Sequence, residues 1–176
     1  MERGQGMAAE EPVLGVGDLA AERLKHANIN PATGLATDYL NHFNEVVMLL
    51  EMLPAMPDCA EDVLAWEPAD YEAHFENSTF SERQLAILAY HAAPVRLRSH
   101  LDNLTGQINA AVLAAQAALR AAGDPATVAN MLAEQATHQI KPLIGMASGV
   151  IHGHISGRDA LLDGEEAQAE IDALFA

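Results

Sequence analysis

The sequence predicts an all-α fold, a helical bundle built on a long antiparallel helix hairpin and followed by a flexible C-terminal amphipathic helix. Two observations favour this class. Of the 176 residues 50% are apolar, but much of this share is alanine and only 5% is aromatic, which suits closely packed helices better than sheets. In addition, two long stretches carry apolar residues at spacings of three and four, the period of an amphipathic helix.

The first stretch, which we call the long helix, is predicted over residues 95–122. Pro94 precedes it, where a missing amide donor costs little, and Gly123 ends it. A polar stripe that includes Asn103 and Gln107 runs beside its apolar stripe. The apolar stripe, expected to face the core, consists of Leu97, Leu101, Leu104, Ile108, Val112, Ala115 and Leu119.

The second stretch follows the tight Gly-Asp-Pro turn and is predicted to run toward His152. Asp124 is placed to cap it and Pro125 to open it. Because the connection is short, we expect the two long helices to pair antiparallel. Its predicted inward face consists of Val128, Leu132, Ala136, Ile140, Leu143, Ala147 and Val150.

The N-terminal half is predicted to contain shorter pieces. Residues 1–17 are glycine-rich and acidic, which indicates a disordered tail, and the bundle domain is placed at residues 18–153. A helix over residues 35–53 has a heptad seam and ends before Pro54. Ser81 and Gln84 are spaced as a capping box for a helix at residues 82–92. The seam consists of Tyr39, Phe43, Val46, Leu50 and Leu53.

The charge and the cysteine content exclude some classes of partner and indicate a cellular compartment. The 25 acids against 9 bases give a net charge of −16, which argues against nucleic acid or an anionic membrane as the partner and favours a basic protein surface. No apolar run is long enough for membrane insertion. The single cysteine, Cys59, has no intramolecular disulfide partner, so a reducing, cytoplasmic location is expected.

The last ten residues, AQAEIDALFA, have the pattern of a docking helix. Residues 154–166 have linker composition, and residues 167–176 place Ile171, Leu174 and Phe175 on one helical face with Glu170 and Asp172 on the other. Such a segment can lie in a partner's groove, the apolar residues supplying affinity and the acids meeting basic residues. The alternative is that it folds back onto its own bundle.

Two short stretches resemble proteins of bacterial chemotaxis. The final segment resembles the peptide of the flagellar switch protein FliM that docks on the response regulator CheY. The sequence HLDNLTGQ, which ends at Gln107, is similar to the catalytic stretch of the chemotaxis phosphatase CheZ family, DFQDLTGQ. The resemblance implies a partner with a CheY-like receiver domain, and a possible activity as a phosphatase of the receiver's aspartyl phosphate. Any Mg²⁺ would belong to the receiver, and no cofactor of the chain itself is expected.

The resemblance assigns catalytic positions to Gln107 and Asn103. In the family the glutamine orients the attacking water, a task of orientation, while an aspartate contacts the receiver's lysine. This chain has Asn103 where the family has that aspartate, so the ion pair is not available. Asp102 does not replace it, because five residues along a helix rotate it roughly 140° from Gln107.

His138 suggests a different function. The sequence HQIKPLI resembles the histidine box of sensor kinases and, more loosely, the HxxKG of phosphotransfer domains. An exposed imidazole with Lys141 nearby to neutralise phosphate would suit a phosphotransfer relay. The departures are Gln139 in place of the acid and Pro142 in place of glycine.

The remaining options are a metal site and a scaffold. His42 and Glu45 are one turn apart, and His152 and His154 are close together, but no Glu-x-x-His pair is present and no metal site is predicted. A non-enzymatic helical scaffold, or a homodimer that completes the bundle, also fits the pattern. The sequence thus predicts a receiver-binding protein, with the relay and the scaffold as alternatives.

Overall fold

The computed structural model describes residues 11–154, and in this range the fold is all-α with no β-strand. The predicted all-α class is therefore confirmed for these residues. The α-helices are α1 (Ala21–His26), α2 (Asn41–Met52), α3 (Ala60–Ala65), α4 (Tyr71–Glu76), α5 (Arg83–Ala92), α6 (Val95–Ala122), α7 (Ala129–Gln135) and α8 (Lys141–Ile151). The 3₁₀ turns are Gly17–Leu19, Thr37–Leu40, Pro57–Cys59 and Pro125–Thr127.

The long helix, α6, has the predicted bounds because its two ends carry strong signals. Pro94 lies just before Val95, and Gly123 follows Ala122 with a φ of 74°, a left-handed conformation that favours glycine. Its apolar stripe is directed into the core as expected. The fully buried members, 0% exposed, are Leu101, Ile108 and Val112.

The second predicted helix is interrupted, which the sequence analysis did not anticipate. It consists of α7, a π-helical turn at Ala136–Ile140, and α8. Pro142 gives a physical reason: it has no amide N–H, and its ring crowds the carbonyl one turn earlier, so the backbone widens before it. α6 packs mainly on α8, whereas α7 contacts α2.

Further boundaries differ from the prediction: the helix expected at residues 35–53 is α2, Asn41–Met52, preceded by the 3₁₀ turn Thr37–Leu40. Leu14 packs against the core, so the packed region begins before residue 18, where the bundle domain was expected to start. The expected capping box at Ser81 does not form: α5 begins at Arg83 without a side-chain cap. Instead, Asp70 caps α4 by accepting a hydrogen bond from the Ala73 amide, 2.8 Å away.

The core contains a cluster of aromatic rings from the Thr37–Leu40 turn, α2 and α4. Tyr39, Phe43 and Phe75 are all buried, with ring centroids of Tyr39 and Phe43 5.2 Å apart. At the other side of the bundle, the buried Gln116 of α6 donates hydrogen bonds to the backbone oxygens of Val63 and Trp66, each 2.8 Å away. These bonds satisfy carbonyls at the C-terminal end of α3 and fix it against the long helix.

Candidate functional site

The two residues singled out by the resemblance lie together on the outside of α6. Asn103 and Gln107 are both exposed. They are one helical turn apart, and the Gln107 Nε2 donates a hydrogen bond to the Asn103 Oδ1 at 2.9 Å. The pair is therefore preorganised on a rigid helix and accessible to a partner.

The residues between them have structural roles. Leu104 and Thr105 are each only 5% exposed, and the Thr105 hydroxyl donates a hydrogen bond to the Asp102 backbone oxygen at 3.2 Å. Gly106 is exposed, and a Cβ added there would meet nothing within 4 Å. Packing within the described chain thus requires Leu104 and Thr105 but gives no reason for a glycine at position 106.

Asp102 faces a different part of the surface from Gln107, as the helical geometry predicts. It lines a cleft of about 500 Å³ together with Asp70, Glu72 and Tyr90, and neither Asn103 nor Gln107 belongs to that lining. Desolvation raises the pKa of the Asp102 carboxyl; the nearby Asp70 adds to this rise and Arg98 opposes it. Asp102 is therefore not positioned to act with Gln107.

The tyrosines of this cleft are held by the fold. The Tyr39 hydroxyl donates to the Ala69 oxygen at 3.0 Å, and the Tyr71 hydroxyl accepts from the Ala36 amide at 2.8 Å. Burial is the main cause that raises the pKa of both phenols above the usual value of 10.0. Both hydroxyls stay protonated at neutral pH, and their hydrogen bonds join separate segments of the core.

His138 is exposed on the π-helical turn, in agreement with its expected position opposite the apolar face. The lysine expected to assist it is engaged elsewhere. Lys141 Nζ lies 3.1 Å from Glu51 Oε2, and the Thr137 hydroxyl donates to the same oxygen at 2.7 Å. The hydrogen bond from Thr137, followed by that from Lys141, lowers the pKa of Glu51. A phosphate near His138 would have to compete with this carboxylate for Lys141.

Two of the three histidines considered as metal ligands contact backbone oxygens instead. His42 Nε2 lies 2.6 Å from the Glu67 oxygen and its ring stacks on Trp66 at 4.6 Å, while His152 Nδ1 lies 2.8 Å from the Ser148 oxygen. Within residues 11–154, no three His, Cys, Asp or Glu side chains gather as a group able to hold a metal ion.

One titratable pair was missed by the sequence analysis. His74 of α4 lies 2.9 Å from Asp38, a half-buried contact between segments that are far apart in sequence. The His74 ring also packs edge-on against Tyr39 and Phe75. No local spacing signals this pair, because it depends on how α4 packs on the turn at Thr37–Leu40. It fixes that packing, and His74 also lines an open cleft of about 740 Å³ together with His42.

The predicted partner-binding residues lie outside the described residues, as do the docking helix and most of the linker. These residues are Glu170, Ile171, Asp172, Leu174 and Phe175. Among the helices of the described range, none has the length and apolar character required to cross a bilayer. Comparisons with known proteins identify no relative: no protein-family model, curated protein or solved structure matches this chain.

Proposed function

We propose that this protein binds the phosphorylated receiver domain of a CheY-like response regulator. In this proposal residues 167–176 dock as an amphipathic helix, and the Asn103–Gln107 pair faces the receiver's phosphorylation site. The apolar Ile171, Leu174 and Phe175 would supply affinity, since a few buried anchors dominate the binding free energy of such a contact. Glu170 and Asp172 would meet basic residues of the receiver.

The observation that carries the proposal is the exposed, hydrogen-bonded pair on α6. Hydrolysis of an acyl phosphate needs a water held in line with the bond that breaks, and a fixed amide can hold it. Gln107 is an exposed amide whose Nε2 is fixed by Asn103 at 2.9 Å. Because Asn103 has no charge, it forms no ion pair with a receiver lysine, so we expect binding with slow dephosphorylation.

The binding proposal is tested by titrating the full chain, and a chain ending at residue 166, against a receiver held in its activated state by beryllofluoride. We expect the truncation to weaken binding by at least about tenfold, or about 1.4 kcal/mol. A matched pair of variants separates specific docking from general loss of apolar surface. Ile171→Ala with Leu174→Ala should reproduce the loss, and Leu161→Ala with Leu162→Ala should not. Equal affinity of the full and truncated chains would reject the proposal.

The catalytic part is tested by restoring the carboxylate. Asn103→Asp keeps an oxygen that accepts from Gln107 and adds the missing charge, so release of phosphate from the receiver should accelerate by about tenfold or more. Gln107→Ala should abolish that gain, whereas Asp102→Asn should preserve it because Asp102 faces the other cleft. If Asn103→Asp leaves the rate unchanged, the pair serves binding or structure and not hydrolysis.

A phosphotransfer relay at His138 is the second candidate, because this histidine is exposed on a π-helical turn, a feature frequent at functional sites. Incubation with a phosphorylated receiver should then place an acid-labile label on His138, and His138→Gln should remove it. The absence of label at His138 excludes the relay. If neither the binding nor the labelling result is obtained, the non-enzymatic helical scaffold remains as the candidate function.

A further inference from the structure

An open cleft of about 740 Å³ lies where α2, α4 and the connection that precedes α4 meet, and we call it the histidine cleft. Its lining includes His42 of α2 and His74 of α4, whose ring centroids are 6.3 Å apart. We call these two residues the histidine pair. Of the described residues that line this cleft, none belongs to α6, so the cleft is separate from the Asn103–Gln107 pair.

The hydrogen-bond partners of the histidine pair determine which nitrogen of each neutral ring carries the hydrogen. His42 Nε2 lies 2.6 Å from the Glu67 backbone oxygen. His74 Nε2 lies 2.9 Å from the Asp38 carboxylate. Both partners can only accept a hydrogen bond, so each Nε2 donates and each Nδ1 is left with a lone pair that accepts. Within residues 11–154, no hydrogen bond engages either Nδ1.

Packing holds both rings of the histidine pair in place. The His42 ring stacks on Trp66 with centroids 4.6 Å apart, and the Trp66 Nε1 donates a hydrogen bond to the His42 backbone oxygen at 2.9 Å. The His74 side chain is only 13% exposed, and its ring packs edge-on against Tyr39 and Phe75. Because the two acceptors are fixed in advance, a ligand does not have to order them when it binds.

The other ionisable residues that line the histidine cleft are acids. They are Glu45, Glu67 and Asp70, and no lysine or arginine of the described chain belongs to the lining. The cleft therefore combines negative charge with two fixed hydrogen-bond acceptors, and the ligand that fits both is a cation with N–H donors. We propose that the histidine cleft binds a small organic amine or guanidinium compound whose N–H groups donate to the Nδ1 atoms of the histidine pair.

Other cations and larger partners fit the histidine cleft less well. Two imidazoles are fewer than the three or four protein ligands of a zinc site. A quaternary ammonium ion carries the charge but no N–H donor, so it would leave both Nδ1 atoms unpaired. A protein partner would cover about 800 Å² of surface, whereas the volume of the cleft lies within the range of about 300–1,000 Å³ that is typical of small-molecule sites.

Calorimetric titration of the full chain tests the proposal with two probes of equal charge and chain length, butylguanidinium and butyltrimethylammonium. The pH is set well above the ordinary histidine pKa of about 6.5, so that both rings are neutral. We expect butylguanidinium to bind at least about tenfold more tightly, because only this probe can donate to the Nδ1 atoms. Equal affinities would overturn the proposal. Binding of Zn²⁺ without binding of butylguanidinium would also overturn it, in favour of a metal site.

Two matched variants separate binding in the cleft from general attraction to an acidic protein. Glu45→Gln removes an exposed carboxylate of the histidine cleft, and Glu134→Gln removes an exposed carboxylate that lines a different cleft. The affinity for butylguanidinium should fall by about threefold in the first variant, the effect of losing one exposed ion pair, and should not change in the second. Equal losses would show that the probe responds only to the net charge of −16, which contradicts the proposal.

Imidazole ¹⁵N NMR tests the histidine pair directly, with His152 as the internal reference. His152 Nδ1 lies 2.8 Å from the Ser148 backbone oxygen, so its neutral ring carries the hydrogen on Nδ1. We expect the opposite tautomer for His42 and His74, and their Nδ1 signals should shift on addition of butylguanidinium while those of His152 stay in place. The same tautomer in all three rings, or unmoved Nδ1 signals of the histidine pair at saturation, would refute the proposal. Neither result bears on receiver binding, which involves α6.

Discussion

The inner and outer faces of α6 each carry a glutamine, and the two have opposite surroundings. Gln116 is 3% exposed and gives its amide hydrogens to the backbone oxygens of Val63 and Trp66. Gln107 is exposed and gives its amide only to Asn103 of its own helix, among the contacts within residues 11–154. One glutamine connects two helices of the core, and the other is available to a partner.

The comparison separates the residues of α6 that stabilise the fold from those that are open to solvent. The inner face contributes buried apolar side chains and one fully used amide, whereas the outer face contributes little to folding. Residues of the outer face are therefore free to change without loss of the fold. The predictions below test this division, beginning with the largest expected effect.

Shortening a side chain on the inner face of α6 should destabilise the protein strongly. Ile108 is 0% exposed, and Ile108→Ala should lower the free energy of unfolding by about 2–5 kcal/mol, because it removes buried methyl groups and leaves a cavity. On the outer face Leu113→Ala should change it by about 0.5 kcal/mol or less. Urea denaturation of both variants measures the contrast. Similar losses for the two would mean that the outer face is packed within the chain.

The two glutamines of α6 should show the same contrast, with the larger loss of stability at the inner one. Gln116→Ala should cost about 2–3 kcal/mol of unfolding free energy, since two buried carbonyls lose donors and the side-chain volume is left empty. Gln107→Ala should be neutral within about 0.5 kcal/mol. Thermal and urea unfolding provide the measurement. A loss at Gln107 as large as that at Gln116 would contradict its assignment to a partner-facing surface.

A smaller effect is expected at the Glu51 contact, which joins α2 to Thr137 and Lys141. Because its pKa is lowered in the folded state, the carboxylate stabilises the protein above its ordinary pKa of 4.5, and this stabilisation is lost as the pH falls through the lowered value. Glu51→Gln should therefore cost about 1 kcal/mol near neutral pH and progressively less in acid. Urea unfolding across this range measures it, and a cost that does not vary with pH would exclude the ionic contribution.

The sequence predicted the parts of the fold that local signals determine. Pro94 and Gly123 defined the bounds of α6, and the periodicity identified its buried stripe and the seam of α2. The π-helical turn was missed because an apolar period continues through Pro142, although the ring breaks the hydrogen-bonding pattern there. The capping box at Ser81 was wrong because a spacing of three residues does not ensure that the hydroxyl reaches the amide.

For the candidate site, the sequence predicted only the relative positions of residues on a single helix. The spacing placed Asn103 and Gln107 together and Asp102 apart, and the structure has this arrangement. The buried hydrogen bonds of Gln116 depend on α3 packing beside it. The contact of Lys141 with Glu51 depends in the same way on the packing of α2. Such contacts join positions distant in sequence, so no local pattern predicts them.

The most direct test of the receiver proposal is NMR of the ¹⁵N-labelled full chain titrated with the activated receiver. We expect the side-chain amide signals of Asn103 and Gln107, and the backbone signals of residues 167–176, to shift together and to saturate at the same receiver concentration. The buried Gln116 side-chain signals should remain in place. No change at Asn103 and Gln107 while the receiver is bound, or shifts confined to the region of His138, would contradict the account.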